Sequence, residues 1–235
     1  MKNKIYLIFL GIFSLTINQF FANKGVFPID SFLIFDPAFY ITSGYHPFKD
    51  YWLITGPFLD YIQSLFFLIF GISWFSYALH ASVVNMAIAL FSFHFLINIG
   101  LKNYYALLYS LGVSILAYPP IGTPFIDHHS VIFSVMALYS FSLGILRKKN
   151  IFLFFTPFFL VISFFSKQIP SPHLLVLFII FTFICFFFTK SLNKKNLIYL
   201  IFGSLFCFLL IFVIFAINQI PINNFLIQYI FYPLS

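Results

Sequence analysis

The chain is 235 residues long; 62% of its residues are hydrophobic, 7% are charged and 40 are phenylalanine. So few polar side chains cannot cover the surface of a water-soluble domain of this size. The composition therefore predicts an all-α, polytopic membrane protein. The formal net charge of +7 does not indicate nucleic-acid binding, because the lysines and arginines form short clusters between apolar runs.

Seven apolar stretches approach the roughly 20 residues that a helix needs to cross a bilayer. No small-residue cleavage site follows the first stretch, so we expect a retained anchor helix and not a secretory signal. The predicted spans are 5–22, 75–100, 103–120, 130–146, 151–166, 172–189 and 196–217. They organise one membrane domain, 1–235, with a first helix at 1–22, an outer loop with juxtamembrane helices at 23–74, a helical bundle at 75–217 and an outer segment at 218–235.

The segment 57–71 decides the topology, because counting it as a span would reverse the orientation of every later segment. It is too short to cross the membrane. Asp60, Gln63 and Ser64 are spaced i, i+3 and i+4, which places one polar stripe on an otherwise apolar helix. This pattern is typical of a helix lying in the membrane interface, so we predict a juxtamembrane helix here.

The distribution of positive charge favours the same topology. With the amino terminus inside and 57–71 outside, nine basic residues face the cytoplasm: Lys2, Lys4, Lys102, Arg147, Lys148, Lys149, Lys190, Lys194 and Lys195. Three face outward: Lys24, Lys49 and Lys167. Because cytoplasmic loops are enriched in lysine and arginine, we predict seven spans in a cell inner (plasma) membrane, with the amino terminus cytoplasmic.

In this topology the candidate site residues lie in three outer loops. The first, 23–57, holds Asp30, Asp36 and Asp50; the second, 119–130, holds Asp127, His128 and His129; the third, 166–173, holds Lys167, Gln168 and His173. Acidic residues beside a bilayer are costly unless they are solvated, paired or used. Helix capping explains any single aspartate equally well. The presence of carboxylates, imidazoles and an ammonium on the same side of the membrane nevertheless favours a shared extracytoplasmic site.

The first loop also carries an ordered series of motifs. Asp30 is followed by Gly44-Tyr45-His46-Pro47-Phe48-Lys49-Asp50-Tyr51-Trp52, and Gly56-Pro57 then opens the amphipathic segment that ends in Phe70-Gly71. Lys167-Gln168 directly follows a later span. This order resembles the amino-terminal part of the GT-C membrane glycosyltransferases, especially the protein mannosyltransferase, aminoarabinose transferase and bacterial lipopolysaccharide glycosyltransferase types.

The resemblance implies a fold and an activity. Such enzymes transfer a sugar from a polyprenyl-phosphate donor to a lipid, glycan or protein acceptor on the extracytoplasmic side, usually with inversion. The essential first-loop aspartate of the family corresponds to Asp30, fourteen residues before Gly44, and Asp36 is the second choice. Family members continue beyond the point where this sequence stops, so we expect a longer protein, a partner chain or a loss of activity.

The chemistry assigns a role to each candidate. An acceptor hydroxyl needs a base, for which we predict Asp30 or Asp36. The phosphate leaving group needs counter-charge and hydrogen-bond donors, for which we predict Lys167, His128 and His129. Asp50, Asp127 and Gln168 are predicted to bind substrate. We predict no resident cofactor; a divalent metal held by Asp127, His128 and His129 with a first-loop aspartate is the weaker alternative, because no recognisable ligand spacing is present.

Two further alternatives stay open. His80 and His94 lie within the second span, where a proton relay is conceivable, but a neutral histidine bonded to a neighbouring helix is favoured. A transporter or flippase of lipid-linked saccharides is the rival function, and an inactive membrane scaffold is the third. Transport ranks second because the carboxylates are predicted at the outer surface and no paired repeat is visible.

Overall fold

The computed structural model describes residues 2–26 and 30–234, and within those ranges its regular secondary structure is helical, apart from one isolated bridge between Pro47 and Tyr51. The predicted all-α fold class is therefore confirmed. The helices are α1 (Lys2–Ala22), α2 (Phe35–Thr42), α3 (Pro57–Phe70), α4 (Trp74–Asn98), α5 (Asn103–Leu116), α6 (Ile126–Leu146), α7 (Asn150–Ser166), α8 (Ser171–Phe187), α9 (Lys194–Ile217) and α10 (Ile222–Phe225).

Four of the described helices are long and apolar enough to cross a membrane: α1 from Lys4 onward, α4, α6 and α9. Helices also occupy the other three predicted spans, but α7 and α8 have 17 residues each and α5 has 14. At 1.5 Å per residue, 17 residues rise about 25 Å, less than the roughly 30 Å hydrocarbon core. A membrane protein is thus supported by four helices, and seven crossings remain a prediction.

Side-chain caps fix where two of the long helices begin. Ser73 is extended, and its hydroxyl accepts a hydrogen bond from the backbone N–H of Ser76, whose own side chain returns to Ser73. Asn193 and Asn196 form the same reciprocal arrangement before α9. Such capping boxes satisfy backbone donors that the first helical turn leaves unpaired. They give α4 and α9 sharply defined first turns.

The chain separates into two compact units. Unit 1 comprises Met1–Gly44 and Leu59–Ile132, and unit 2 comprises Tyr45–Phe58 and Phe133–Ser235. In unit 1, helices α1, α4 and α5 surround an apolar cluster of Leu10, Ala89, Phe93, Ala106 and Leu107. Because apolar packing alone gives little specificity in a lipid environment, helix association there relies on close fit and polar contacts.

Two buried asparagines supply those polar contacts in unit 1. The Asn18 amide donates to the Ser82 hydroxyl at 2.9 Å and to the Gly122 carbonyl at 3.0 Å. The Asn85 amide donates to the carbonyl oxygens of Ser14, at 3.1 Å, and Ser114, at 2.9 Å. These bonds tie α1 to α4 and to the loop after α5, and they tie α4 to α5.

Unit 2 has two apolar clusters. One lies among α6, α7 and α8 and consists of Ala137, Phe141, Leu153, Leu160, Phe178 and Leu192. The other joins the segment 45–58 to the chain after α9 and consists of Phe48, Leu53, Phe215, Ile220 and Tyr229. After α9, the chain forms α10, a π-helical turn at Leu226–Phe231 and a 3-10 turn at Tyr232–Leu234.

Helix α3 has the amphipathic pattern that was predicted, but its polar stripe faces the opposite way from the expectation. Asp60, Gln63 and Ser64 are buried in the protein, whereas Leu68 and Ile69 on the other face are about 70% exposed. A helix in the membrane interface would turn its polar side to water. Here the polar side is the packed side, so α3 contributes buried polar groups to unit 1.

Candidate functional site

Three chain segments meet at one end of unit 1. The indole N–H of Trp74, at the start of α4, donates to the carbonyl of Ala22, the last residue of α1, at 3.0 Å. The loop after α5 touches the same point, because Gly122 lies so close that a Cβ atom there would come 2.6 Å from the Ala22 Cα. Gly122 also has φ +79°, which favours glycine. The end of α1, the start of α4 and the 117–125 loop therefore share one end.

The predicted base, Asp30, stands at this end. The Tyr77 hydroxyl on α4 donates to the carbonyl of Ser31, the next residue, at 2.6 Å. The Asp30 carbonyl accepts from the Leu33 N–H at 3.1 Å and its side chain is half-buried. Asp36 is exposed in the first turn of α2. Asp30 is thus the more enclosed of the two candidate bases.

The first turn of α6 carries Asp127, His128 and His129. Asp127 and His128 are half-buried, and an acidic side chain in a first helical turn is favoured by the helix dipole. His129 is fully buried and bonded inside the protein. His129 is therefore enclosed within the protein, whereas His128 is half-buried; contact with a donor phosphate stays a prediction for both.

His129 belongs to a chain of buried hydrogen-bonding side chains. Its Nε2 lies 3.0 Å from the Nε2 of His80 on α4, and the His80 Nδ1 lies 3.0 Å from the Gln63 Oε1 on α3. At the other end, the Tyr118 hydroxyl bonds the His129 Nδ1. All four side chains are buried, and the Phe66 ring stacks on His80 at 5.2 Å. As favoured from the sequence, His80 is bonded to neighbouring helices.

Asp60 is the most unusual group in unit 1. It is fully buried, and both carboxylate oxygens lack a hydrogen-bond partner among the residues that the structure describes. The same holds for Nε2 of Gln63, one helical turn further along α3. Burial raises the pKa of Asp60 well above its ordinary value, because a buried carboxylate loses its hydration. Asp60 was not among the predicted site residues, although an aspartate within an apolar helix was a signal for it.

Lys167 and Gln168 belong to unit 2. Lys167 is half-buried directly after α7. The Gln168 amide donates to the carbonyl of Ile54 at 2.8 Å and to that of Tyr229 at 3.1 Å. Gln168, predicted to bind substrate, therefore holds the 45–58 segment to the chain after α9. Because Gln168 is bonded to both of these segments, the backbone of the adjacent Lys167 is held in place beside them.

Asp50 lies in the same segment and is exposed. One carboxylate oxygen accepts a hydrogen bond from the His46 backbone N–H at 2.7 Å, which closes a turn. Burial lowers the pKa of His46, the nearby Lys49 ammonium lowers it further, and Asp50 opposes both effects. The Lys49 ammonium also donates to the Asn218 carbonyl at 3.3 Å. Asp50 thus has a structural partner; substrate binding by this residue remains a prediction.

The predicted site residues fall in both compact units. Unit 1 holds Asp30, Asp36, Asp127 and His128, and unit 2 holds Asp50, Lys167 and Gln168. Within residues 2–26 and 30–234, no three His, Cys, Asp or Glu side chains are grouped so that they could hold a metal ion. Unit 1 thus offers a half-buried carboxylate at Asp30, an acid–imidazole pair at Asp127 and His128, and a chain of buried polar side chains.

Comparisons of the chain with known protein families, with curated proteins and with solved structures give no match. The functional interpretation therefore depends on the residues and on the geometry of each unit.

Proposed function

We propose that this protein transfers a sugar from a polyprenyl-phosphate donor to a lipid, glycan or protein acceptor on the extracytoplasmic face of the membrane. One observation carries the proposal: the segment after Asp30 and the loop before Asp127 are both fixed to the same end of unit 1. Helices α3 and α5 have 14 residues each, so the positive-inside count, and not helix length, supports a first loop that stays on one side of the membrane. A lipid-linked donor suits such a site, since its tail stays in the bilayer while its phosphate reaches the interface.

In the proposed reaction Asp30 accepts the proton of the acceptor hydroxyl as the hydroxyl oxygen attacks the anomeric carbon. The bond between that carbon and the phosphate oxygen breaks, and the electron pair leaves with the phosphate. Attack opposite to the leaving group inverts the configuration. The phosphate departs as a stable anion, so the reaction needs no general acid, in contrast to the glycosidases that use two carboxylic groups.

The proposed roles of the other residues follow from charge. In unit 1, His128 donates a hydrogen bond to the departing phosphate, and Asp127 accepts hydrogen bonds from sugar hydroxyl groups. The counter-charge from Lys167 and the sugar contact from Asp50, both residues of unit 2, rest on the sequence alone. Gln168 acts through structure, since its amide nitrogen already binds two backbone carbonyls.

Replacing the base tests the proposal. With membranes containing the full chain and a radiolabelled polyprenyl-phosphate sugar, Asp30→Asn should lower the transfer rate by at least about a hundredfold, the usual contribution of a general base. Binding of the donor lipid should persist. Asn23→Asp, a substitution of similar size at the exposed first position of the same loop, is the matched control and should keep the wild-type rate.

The result also distinguishes the two candidate bases. If Asp36→Asn abolishes transfer while Asp30→Asn does not, the base is Asp36. Normal transfer by both variants would refute an aspartate base in this loop. No transfer by the wild-type chain with any polyprenyl-phosphate sugar, in the presence of its native membrane, would refute the activity.

A second candidate function is the transport or flipping of lipid-linked saccharides. The observation that favours it is Asp60, a carboxylic group with 0% exposure in unit 1, because buried ionisable groups in membrane proteins often line substrate or ion pathways. Proteoliposomes distinguish the two functions. A transporter moves the labelled lipid-linked saccharide between leaflets and loses this activity in Asp60→Asn, whereas a transferase produces a new glycosidic bond and needs Asp30.

A further inference from the structure

Two segments of unit 2 lie together at the end where α7 and α9 stop. One is 45–54, and the other is 218–234, which directly follows α9. The Gln168 amide, two residues after α7, donates to a backbone carbonyl in each segment. The Lys49 ammonium of the first segment donates to the Asn218 carbonyl of the second at 3.3 Å. We call these two segments the end layer, since these bonds fix them at the level where α7 and α9 end.

The second segment of the end layer turns two of its amide side chains toward the protein. The Asn224 amide donates to the Phe48 carbonyl at 2.9 Å, and the Gln228 Oε1 accepts from the Leu53 N–H at 3.0 Å. The whole of 218–234 contains no charged residue. As in α3, polar side chains of a largely apolar segment thus face the packed side, where protein groups bond them.

The surface that the end layer leaves exposed is mainly apolar. The exposed rings of Trp52 and Tyr232 pack edge to face with centroids 5.6 Å apart, so both segments contribute to one aromatic surface. Asn223 adds an exposed amide. Five aliphatic or aromatic side chains, each between 46% and 80% exposed, complete the surface: Ile54, Ile222, Ile227, Phe231 and Leu234. Several large apolar side chains exposed together mark a surface that binds something.

Helix α9 indicates what covers this surface. It is long and apolar enough to cross a membrane, and most of its large apolar side chains are exposed, as expected where lipid surrounds a helix. Because 218–234 directly follows α9, the end layer lies at the boundary between lipid and water. Tryptophan and tyrosine are enriched at this boundary, since their rings are apolar and their N–H and O–H groups reach water or headgroups.

We propose that the end layer is a membrane-binding surface, and that it lies on the lipid interface of the leaflet in which α9 ends. The Trp52 and Tyr232 rings sit at the level of the headgroups, and Phe231 and Leu234 enter the adjoining acyl region. Lipid then covers the apolar surface while Asn224 and Gln228 remain bonded to the protein. An apolar face buried this way in the interface binds without crossing the membrane. The surface does not depend on the proposed sugar transfer.

Tryptophan fluorescence tests the position of the end layer. The chain contains two tryptophans, so Trp74→Phe leaves Trp52 as the only one. The full-length variant is placed in phosphatidylcholine nanodiscs whose lipids carry a nitroxide either near the glycerol or near the end of the acyl chain. We expect Trp52 to lose most emission to the nitroxide near the glycerol and little to iodide added to the water.

Three outcomes would overturn the proposal. Strong quenching by iodide and none by the labelled lipids would place the end layer in water. Stronger quenching by the nitroxide near the end of the acyl chain would place Trp52 inside the hydrocarbon core. Protection from all of these quenchers would show that a second copy or another protein covers the surface instead of lipid.

A second measurement keeps Trp74 and decides the question if Trp74→Phe does not fold. With Cys185 and Cys207 replaced by alanine, a nitroxide attached to Phe231→Cys should relax faster with oxygen, which concentrates in lipid, than with a water-soluble nickel chelate. Lys148→Cys, exposed at the opposite end of α7, is the control and should show the reverse order. A Phe231→Cys label that responds as the Lys148→Cys label does would place the end layer in water and refute the proposal.

Discussion

At the scale of single residues, buried polar groups distinguish this protein from a bundle held together by apolar packing. Asp60 is the extreme case, because it is buried without a hydrogen-bond partner among the described residues. Such a group destabilises the fold once it ionises. A protein retains a costly carboxylic acid where the acid has a use, which is why Asp60 enters the transport alternative.

The stability of the protein should depend on pH through Asp60. In the unfolded chain this residue ionises near its ordinary pKa of 3.8, whereas burial raises the pKa in the folded state. Between those two values the folded protein holds a proton that the unfolded chain releases, so stability falls as pH rises. The loss is at most about 1.4 kcal/mol for each pH unit.

Asp60→Asn removes this dependence. We expect the variant to gain stability over the wild type as the pH increases above 4, measured as the midpoint of thermal unfolding in detergent by tryptophan fluorescence. Asp36→Asn, at an exposed position, provides the comparison and should follow the wild-type curve. A wild-type protein whose stability rises between pH 4 and pH 8 relative to Asp60→Asn would contradict the buried, protonated carboxyl.

Lys167 provides a second prediction at this scale. Hydrogen bonds to a charged group contribute about 1.5–3 kcal/mol, so Lys167→Ala should weaken donor binding roughly ten- to a hundredfold and affect acceptor binding much less. Equilibrium binding of a polyprenyl-phosphate sugar to protein in nanodiscs measures this. Lys24→Ala is the matched control, since the Lys24 ammonium sits over the Phe20 ring at 4.5 Å. Equal losses for donor and acceptor would remove Lys167 from the phosphate site.

At the scale of helices, close packing depends on a few glycines. A Cβ atom on Gly203 of α9 would collide with the Phe154 carbonyl oxygen of α7 and would lie 2.8 Å from the Pro157 ring. Small residues let membrane helices approach closely, and here the approach leaves no space for a methyl group. The α7–α9 pair of unit 2 therefore depends on a residue without a side chain.

Gly203→Ala should destabilise the folded protein by about 1–3 kcal/mol, as overpacked cores do. Gly112 on α5 is the control: a Cβ atom there meets nothing within 4 Å, and alanine is the better helix former by about 1 kcal/mol. Resistance to unfolding by a denaturing detergent, compared for the two variants and the wild type, measures both effects. If Gly203→Ala proved as stable as Gly112→Ala, the close approach of α7 and α9 would be wrong.

Helix α3 has the predicted amphipathic pattern, but its polar face packs against protein. The sequence predicts a helix in the membrane interface, where a polar side would face water, whereas Asp60, Gln63 and Ser64 are buried in unit 1. A periodicity of 3.6 residues indicates that a helix has two unlike faces. It does not indicate which face packs on protein when the other surroundings are lipid, because lipid accepts apolar side chains as readily as a protein core does.

At the scale of the whole molecule, the topology depends on segments that are shorter than a full span. Four described helices are long and apolar enough to cross the membrane, and the positive-inside count favours seven crossings. With Cys185 and Cys207 replaced by alanine, single cysteines at Ser43, Lys102 and Lys148, all exposed positions, report the sidedness of three loops.

We expect a membrane-impermeant thiol reagent, added from outside, to modify the Ser43→Cys protein only. The Lys102→Cys and Lys148→Cys proteins should react only after the membrane is opened, because their loops carry the positive charge predicted to face the cytoplasm. Outside labelling of Lys102→Cys would show that the segment 57–71 crosses the membrane or that the amino terminus is outside. A crossing by 57–71 would separate Asp30 from Asp127, and an outside amino terminus would place both residues on the cytoplasmic side. Each result would refute the proposed extracytoplasmic transferase site.

Much of the fold could be predicted from the sequence, because it depends on local composition. Helices lie at all seven apolar stretches, and a short helix lies at 57–70. The ends were less accurate: α5 stops at Leu116 instead of residue 120, ahead of Pro119-Pro120, whose rings cannot continue a helix. Of the candidate site, the sequence located the aspartates and histidines along the chain but not the burial of His129, since burial depends on distant segments.

The sequence by itself determined that this is a helical membrane protein with its acidic groups outside the seven long apolar stretches, because apolar content and charge clusters act through the solvent and need no knowledge of packing. Only the tertiary structure decided that Gln63, His80, His129 and Tyr118 form one buried chain, and that Asp60 lies buried without a hydrogen-bond partner among the described residues. The reason is physical: His80 and His129 are 49 residues apart in the sequence, and a hydrogen bond between them depends on how the helices pack, which no local pattern encodes.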